Sequence, residues 1–460
     1  MRGIPKAVLD WKLTLVVSAV LLFSFLAGCG TAMSPGELAL RQELAGVSEN
    51  YNPSGTSLQL PTLRADSGLD EILTFGIIND PAVASAYYDW KASVEAITVA
   101  RSIENPKLLF EADIADVVMA LMPGIMLEFP GSGKLSAMGE VATAEGQARF
   151  FAFKRATLLS AAAIKTAYYR LQAVDESIRV NRLALELLED LRTVAQVQHE
   201  TGKVTLQDVL RAEIERDKLL ADIENLEDLR DAQLASYKGT LGVNAETVVP
   251  FPASYTNSSG DVTDDGILET AFKHNPRLKE MQAQIAKAEA MLRLAKLNFI
   301  PDVGIGLEAD LKQSPVIFNP SFSLTIPIWR EKNAAQIRAA EAEADAMRSR
   351  FYREKIDLAV EFATARFSYK ESSRKVTLYT DALLPKASRA LEVARTGYIG
   401  GRSSFVDFLD AQRTLLEFDL ARIESRAMQE EALAKLSLII AGIVPAAASF
   451  VNRELEVSEQ

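Results

Sequence analysis

The stretch that decides the fold is VGIGLEADLK, from Val303 to Lys312, in which every second residue is apolar. The residues between are glycine or charged, and a second stretch, SFSLTIPI at 321–328, repeats the alternation. A period of two predicts β-strands with one wholly apolar face. Runs of about nine or ten residues with small or charged partners are typical of strands that cross a membrane, with lipid on one side and water on the other. Two half-buried hairpins on a soluble core are the alternative.

The strand pattern belongs to a unit that occurs twice in the chain. Asn79-Asp80-Pro81 matches Asn275-Pro276, and 127–130 matches 324–327. The run 199–210 matches 398–409, so that Gly202 is the counterpart of Gly401. Three matches in the same order predict an internal duplication. The first copy has fainter strand patterns at 108–114 and 125–129.

Long helices follow the strands in both copies. A helix bounded by prolines is predicted first, at 82–105 and at 277–300. Stretches without glycine or proline follow the strands and are rich in the best helix formers, Ala, Leu, Glu, Arg and Lys; they span 147–201, 203–238, 328–384 and 402–441. A helix of this length, roughly 85 Å at 1.5 Å per residue, predicts a coiled-coil bundle or a tube.

Four strands cannot close a barrel alone, because unpaired strand edges are intolerable in lipid. If the strands cross a membrane, the chain must therefore form an oligomer. Three copies would supply about twelve strands, which lies within the usual range for membrane barrels.

Composition excludes several classes of protein. The 460 residues carry 50 Lys and Arg against 62 Asp and Glu, a net charge of −12, which disfavours a nucleic-acid-binding protein. One cysteine excludes a disulfide framework and a cysteine-based zinc site within the chain. Two histidines leave little material for a catalytic or metal centre, so we expect no enzymatic activity, cofactor or metal.

The N-terminus predicts a lipoprotein signal peptide. Basic residues precede the apolar run 13–25, which is too short to span a membrane, and Leu26-Ala27-Gly28-Cys29 follows it. The last four residues resemble the lipobox of bacterial lipoproteins, which is cut before a cysteine that is then diacylated. An ordinary signal peptide with an incidental cysteine is the alternative. Gly30 follows the cysteine in place of an aspartate that would retain the protein at the inner membrane, so the expected address is the periplasmic face of the outer membrane.

The lipobox, the duplicated unit and the run YIGGRSSFVDFLDAQ at 398–412 resemble the TolC-like outer membrane factors. The resemblance implies a mixed α and membrane β fold, in which a homotrimer forms a 12-stranded β-barrel continuous with a long α-helical periplasmic tunnel. It implies a passive exit duct of tripartite efflux or type I secretion systems. It also implies a periplasmic adaptor (membrane fusion) protein and an inner-membrane transporter as partners, with no cofactor. A lipid-anchored periplasmic coiled-coil tether without a pore is the competing hypothesis.

The resemblance also implies where the functional residues lie. In the family, the turns 199–213 and 398–412 form the periplasmic tips, where the tunnel narrows and the adaptor docks. The residues at the two docking tips are Gly202, Lys203, Gly401 and Arg402. Glycine suits the sharp reversal between two helices because it accepts a positive φ without steric cost.

The periplasmic aperture is assigned to Asp407 and Asp410, which are three residues apart and therefore share one helical face. In a trimer they would form two rings of like charges, which favour cations and raise the carboxyl pKa values. A solvated acidic helix start is the structural alternative. A latch that biases the closed tip is assigned to Asp208, Tyr398 and Arg402, although Arg402 stands one position before the place that the family pattern expects.

From these patterns we divide the chain into six parts. They are the signal peptide (1–28), a lipidated, extended N-terminal segment (29–78), the first repeat (79–242), a linker rich in turn residues (243–270), the second repeat (271–442) and a C-terminal tail (443–460). The transported substrate and the specific adaptor and transporter are not predicted by any residue pattern.

Overall fold

A computed structural model of the chain describes residues 32–51, 53, 63–64, 66–115, 118–202, 204–250, 267–311 and 315–440, with backbone alone for 111–115 and 118–121. The predicted signal peptide, Cys29, Lys203 and the C-terminal tail lie outside the described residues. The chain packs into two compact units. One contains the strands, and the other contains residues 151–250 and 353–440 with the turns between the long helices.

The predicted order of elements is present in both copies, and each copy also begins with a short helix. A single helix, α1 (Pro35–Asn50), precedes the first copy. The first copy comprises α2 (Leu69–Asn79), α3 (Pro81–Ala100), β1 (Lys107–Ala115), β2 (Val118–Phe129), α4 (Lys134–Glu200) and α5 (Leu206–Thr240). The second copy comprises α6 (Ile267–His274), α7 (Pro276–Leu297), β3 (Asp302–Asp310), β4 (Ile317–Thr325), α8 (Arg330–Thr377), α9 (Leu384–Ile399) and α10 (Phe405–Ile440).

The four strands form one antiparallel sheet in the order β1-β2-β3-β4. Its register places Ile125 beside Leu307, and Ile305 beside Phe322. These side chains are exposed, Ile305 to 53% and Phe322 to 70%, whereas the glycine at 304 is buried. The predicted alternation is confirmed, and it leaves an apolar face of the sheet uncovered in the single chain.

The first long helix is longer than predicted. α4 has 67 residues, about 100 Å at 1.5 Å per residue, and begins at Lys134 rather than at 147. Gly146 lies inside this helix because α1 and α3 approach it closely. A Cβ at this position would lie 3.0 Å from Leu40 Cδ1 and 3.6 Å from Ile97 Cδ1. This glycine serves packing, and the helix extends through it, beyond the glycine-free stretch 147–201 from which it was predicted.

The second copy accommodates a proline between its two helical segments. Pro385 has no N–H and cannot continue a regular α-helical hydrogen-bond ladder. A π-helical turn, Leu378–Leu383, separates α8 from α9, and the Leu384 N–H donates to the carbonyl of Tyr379. Such turns insert one wider loop without ending the helix. The chain therefore remains helical from α8 through α9, beyond the predicted end at 384.

In each repeat, an asparagine at the start forms a hydrogen bond to the end of the last helix. Asn79 Nδ2 donates to the carbonyl of Leu241 at 2.9 Å, just after α5, and Asp80 Oδ1 accepts an N–H of α3. In the second repeat Asn275 performs both roles, because its Nδ2 donates to the Ile439 carbonyl at 2.7 Å and its Oδ1 accepts an N–H of α7. The matched Asn-Pro motifs thus bind the end of the last helix of their own copy.

One predicted conformation and one predicted boundary differ from the structure. The segment 29–78 was expected to be extended, but it contains α1 and α2, because Leu40, Leu44 and Val47 follow helical spacing and are buried. α6 begins at Ile267, inside the predicted linker. Among the described residues, no helix is both long and apolar enough to cross a membrane.

Candidate functional site

The two predicted turns lie together in one apolar cluster. Residues of α4 and α5 pack there against residues of α9 and α10, so the cluster joins the ends of both repeats. Its buried members are Leu188, Leu191, Ala195, Val209, Ala212, Ala394, Tyr398, Phe405, Phe408 and Leu409. The cluster lies at the turn between the two long helices of each repeat, and we call it the turn cluster.

The turns themselves have the same geometry. Gly202 has φ +72° and Gly401 has φ +69°, a region that side chains other than glycine rarely adopt. The N–H of Gly202 donates to the His199 carbonyl at 2.8 Å, and the N–H of Gly401 donates to the Tyr398 carbonyl at 3.0 Å. No atom lies within 4 Å of a Cβ built at either glycine, so backbone conformation alone requires glycine. The sequence prediction of a glycine reversal is confirmed at both positions.

The start of α10 is fixed by a reciprocal cap. The N–H of Asp407 donates to Ser404 Oγ at 3.1 Å, and the N–H of Ser404 donates to an Asp407 carboxylate oxygen at 3.0 Å. The Ser404 hydroxyl and N–H hold the pKa of the exposed Asp407 below its usual range. The raised pKa expected for crowded carboxylates is therefore absent at Asp407 within one chain. At the start of α5 the Thr205 side chain does not cap the helix, and its hydroxyl instead donates to Asp208 Oδ2 at 3.4 Å.

Tyr398 is held mainly by its ring. The ring centroid lies 5.7 Å from that of Phe405 and 6.4 Å from that of Phe408. Its hydroxyl is buried and has no hydrogen-bond partner among the described residues. Burial, and the nearby carboxylate of Asp208, raise the pKa of the Tyr398 hydroxyl. Of the three predicted latch residues, Asp208 and Tyr398 are therefore neighbours, whereas Arg402 is exposed and makes no ion pair within the described part of the chain.

Polar contacts between the repeats were not predicted from the sequence. Arg413 Nε donates to Glu215 at 3.1 Å, and this contact lowers the pKa of Glu215. Gln412 Nε2 donates to the carbonyl of Ala184 at 2.9 Å. The motif comparison could not find these pairs, because they join positions that are not counterparts in the duplication.

The aperture residues lie on one exposed helical face, as predicted. Asp407 and Asp410 both point away from the turn cluster, and Arg413 Nη1 lies 3.9 Å from an Asp410 oxygen. Exposed carboxylates on one face create a negative potential that attracts cations. No cluster of three or more potential metal-ligating His, Cys, Asp or Glu side chains occurs among the described residues.

Comparison with known proteins finds a family that the second repeat resembles. Residues 267–442 match the model of the outer membrane efflux protein family. The cobalt-zinc-cadmium resistance protein CzcC of Cupriavidus metallidurans is 22% identical over 33% of this chain and 36% of its own length. The pyoverdine export outer membrane protein OpmQ of Pseudomonas aeruginosa is 21% identical over 62% of this chain and 61% of its own length. The probable outer membrane lipoprotein SilC of Salmonella typhimurium is 21% identical over 62% of this chain and 63% of its own length.

The chain thus spans between about one third and two thirds of the curated relatives it matches. Solved structures are similar over more of the chain. The outer membrane protein VceC of Vibrio cholerae has a TM-score of 0.70 at 17% identity, with 81% of this chain and 96% of VceC covered. The outer-membrane channel OprN has a TM-score of 0.73 at 16% identity, with 90% and 97% covered. These likenesses establish the fold.

Proposed function

Because residues 267–442 match the model of the outer membrane efflux protein family, we propose that the chain is the outer-membrane channel subunit of a tripartite efflux system. The observation that carries the proposal is the sheet. Its apolar side chains are exposed on one face, and its edge strands are β1 and β4. Such a surface is unstable in water and suited to lipid, provided that neighbouring chains pair the two edges.

Three copies close the sheet into a 12-stranded barrel, with β4 of one copy beside β1 of the next. The long helices continue from the strands as a periplasmic tunnel. Cys29 anchors the mature chain in the outer membrane through its lipid, and the description of SilC as a probable outer membrane lipoprotein supports this address. The lipid, the barrel and the tunnel together make a passive duct, which needs no catalytic residue or cofactor.

The turn cluster forms the periplasmic end of the duct. Asp407 and Asp410 form the aperture, where their exposed carboxylates favour cations over anions. The docking tips carry Gly202, Lys203, Gly401 and Arg402, which meet a periplasmic adaptor protein. Through the adaptor, the duct connects to an inner-membrane transporter that supplies the energy.

The cargo is selected by the other components of the system and not by this chain. CzcC is named for resistance to cobalt, zinc and cadmium, and OpmQ is named for export of pyoverdine, a chemically different cargo. Relatives of similar identity with such different cargoes support a duct of low specificity. Selection then belongs to the transporter and the adaptor.

Single-channel recording in planar bilayers tests the proposal. Purified full-length protein should form cation-selective channels, and the Asp407→Asn/Asp410→Asn variant should lose most of that selectivity while still inserting. Asp345→Asn, which changes an equally exposed carboxylate on α8, is the matched control and should leave selectivity unchanged. Protein that inserts no channels would overturn the proposed function. Channels whose selectivity is indifferent to the Asp407/Asp410 change would overturn only the aperture assignment.

A further inference from the structure

The two repeats meet beside the turns through one defined contact. α10 of the second repeat buries Phe405, Leu409 and Gln412 there. The receiving surface is on α4 of the first repeat, where Gln412 Nε2 donates to the Ala184 carbonyl at 2.9 Å. Leu191 of α4 belongs to the same cluster.

The counterparts of the α10 residues in the first repeat are uncovered. The duplication aligns Phe405 with Leu206, Leu409 with Leu210, and Gln412 with Glu213. All three first-repeat residues lie on α5 and are exposed, Leu206 to 55% and Leu210 to 48%. Ile214, one turn beyond Leu210 on the same face, is exposed as well. A row of large apolar side chains open to water indicates an interaction surface.

The counterparts of the receiving surface are uncovered too. On α4, Leu187, Leu191 and Val194 pack against the turn cluster. The duplication aligns these residues with Lys386, Ala390 and Val393 of α9, and all three counterparts are exposed, Val393 to 71%. The chain therefore carries both halves of a second contact, one on each repeat, and the described residues cover neither half.

We infer that these two faces cover each other between copies of the chain, with Leu206, Leu210 and Glu213 of one copy packed on Lys386, Ala390 and Val393 of the next. The inference deepens the proposed function, because it rests on the proposed trimer and names the surfaces that join it beside the turns. The occupant is a second copy because the duplication makes the two faces the equivalents of a pair that already fits within the chain.

Charge favours the same occupant. Gln412 reaches Ala184, one helical turn before Leu187, so its counterpart Glu213 comes within a turn of Lys386 on the neighbouring copy. Opposite potentials on matched faces steer correct pairing and disfavour a like-charged partner. The contact within one chain has uncharged residues, Gln412 and Leu187, at the equivalent positions. The Glu213–Lys386 ion pair is therefore specific to the contact between copies.

Site-specific crosslinking tests the pairing. Leu210→Cys with one affinity tag and Val393→Cys with another are co-expressed as full chains, and intact cells are treated with a short bis-maleimide. A covalent dimer that carries both tags is expected, and the double variant Leu210→Cys/Val393→Cys should yield covalent dimers and trimers. Each single variant expressed alone controls for reaction at Cys29. Val197→Cys with Val393→Cys is the matched control, because Val197 is as exposed as Leu206 but lies on α4, outside the proposed α5 face.

The outcomes separate this inference from the proposed function. The mass of the uncrosslinked protein in detergent is measured in parallel. A trimer without mixed-tag crosslinks, or with equal crosslinks in the Val197 control, overturns the pairing and leaves the channel standing. Absence of any trimer contradicts the proposed function itself.

Charge reversal supplies a second, independent test that does not depend on cysteine reactivity. Glu213→Lys should lower the amount of trimer that survives mild denaturant by about two- to fivefold, the range expected for one exposed ion pair. Lys386→Glu should do the same. Combined in one chain, the two changes should restore the trimer, and a double variant as weak as the sum of the single variants would contradict the proposed ion pair.

Discussion

Replacement of Tyr398 tests what holds the turn cluster together. The structure predicts that the ring, and not the hydroxyl, stabilises this site, because the hydroxyl is buried without a hydrogen-bond partner among the described residues. An unsatisfied buried polar group costs about 1–3 kcal/mol, so Tyr398→Phe should be neutral or stabilising by about 1 kcal/mol.

Tyr398→Ala should have the opposite effect. It removes a buried ring and both aromatic contacts, with Phe405 at 5.7 Å and Phe408 at 6.4 Å. Truncation of a buried aromatic residue costs about 3–5 kcal/mol, of which each aromatic pair contributes about 0.5–1.5 kcal/mol beyond its buried area. Since every 1.4 kcal/mol is about tenfold, the turn between α9 and α10 should open at least about a hundred times more often.

Hydrogen exchange followed by mass spectrometry measures this opening directly, because exchange of a protected amide reports the local free energy of opening. Peptides that cover 394–409 should exchange as slowly in Tyr398→Phe as in the unchanged protein, and much faster in Tyr398→Ala. Tyr352→Ala, at a tyrosine that is 70% exposed, is the control and should change nothing. If Tyr398→Phe opens the turn as strongly as Tyr398→Ala, the hydroxyl makes an essential bond and the packing explanation is wrong.

Four further substitutions, in three tests, address other features of the site and of the helices that support it. Gly401→Ala should lower the free energy of unfolding by about 1–2 kcal/mol, because alanine is strained at a φ of +69°. Gly239→Ala should raise it by about 0.5–1 kcal/mol, because a Cβ added at this position of α5 meets open space. Thermal unfolding should therefore shift in opposite directions in the two variants. Asn275→Ala should lower the free energy of local opening by about 1–3 kcal/mol, because it removes the side-chain hydrogen bonds that join the start of α7 to the end of α10. Hydrogen exchange at 435–440 should then become faster. Ser404→Ala should raise the pKa of Asp407 toward its usual value. In the unchanged protein the lowered pKa stabilises the start of α10 at neutral pH, and this stabilisation is lost as the pH falls below about 4 and Asp407 becomes protonated. Hydrogen exchange at 404–408 should therefore depend on acid pH in the unchanged protein and lose that dependence in the variant.

Much of the fold was predictable because its pattern is periodic and repeated. Strict alternation in 303–312 identified a strand with one apolar face, and the matched Asn-Pro motifs identified the duplication. The resemblance to the TolC-like outer membrane factors is supported by the match of residues 267–442 to the outer membrane efflux protein family model and by the fold shared with solved outer-membrane channels.

The errors arose where long-range packing overrides local sequence. Gly146 was treated as the boundary of a helix, although neighbouring helices require a small residue inside it. The proline-free stretch 328–384 ends before Pro385, but a π-helical turn lets the helix continue past this proline. The extended prediction for 29–78 is an error of another kind, because the spacing of Leu40, Leu44 and Val47 is a local helical pattern that indicates α1.

At the site, both turns and their glycines could be located from the sequence, because a backbone with positive φ strongly favours glycine. It did not indicate that the Tyr398 hydroxyl is unpaired or that Arg413 contacts Glu215. Those features depend on how two repeats with different side chains pack. The ionic part of the latch, with Arg402, stays a prediction, and the double variant Tyr398→Phe/Arg402→Ala tests it by channel conductance.

The most direct test of the central claim is electron microscopy of the full-length protein extracted in detergent. The proposed channel predicts a threefold particle with a short 12-stranded barrel and a helical stalk of roughly 100 Å, set by the helix rise. A monomer, or a thin rod that needs no detergent, would contradict the channel and favour a lipid-anchored tether.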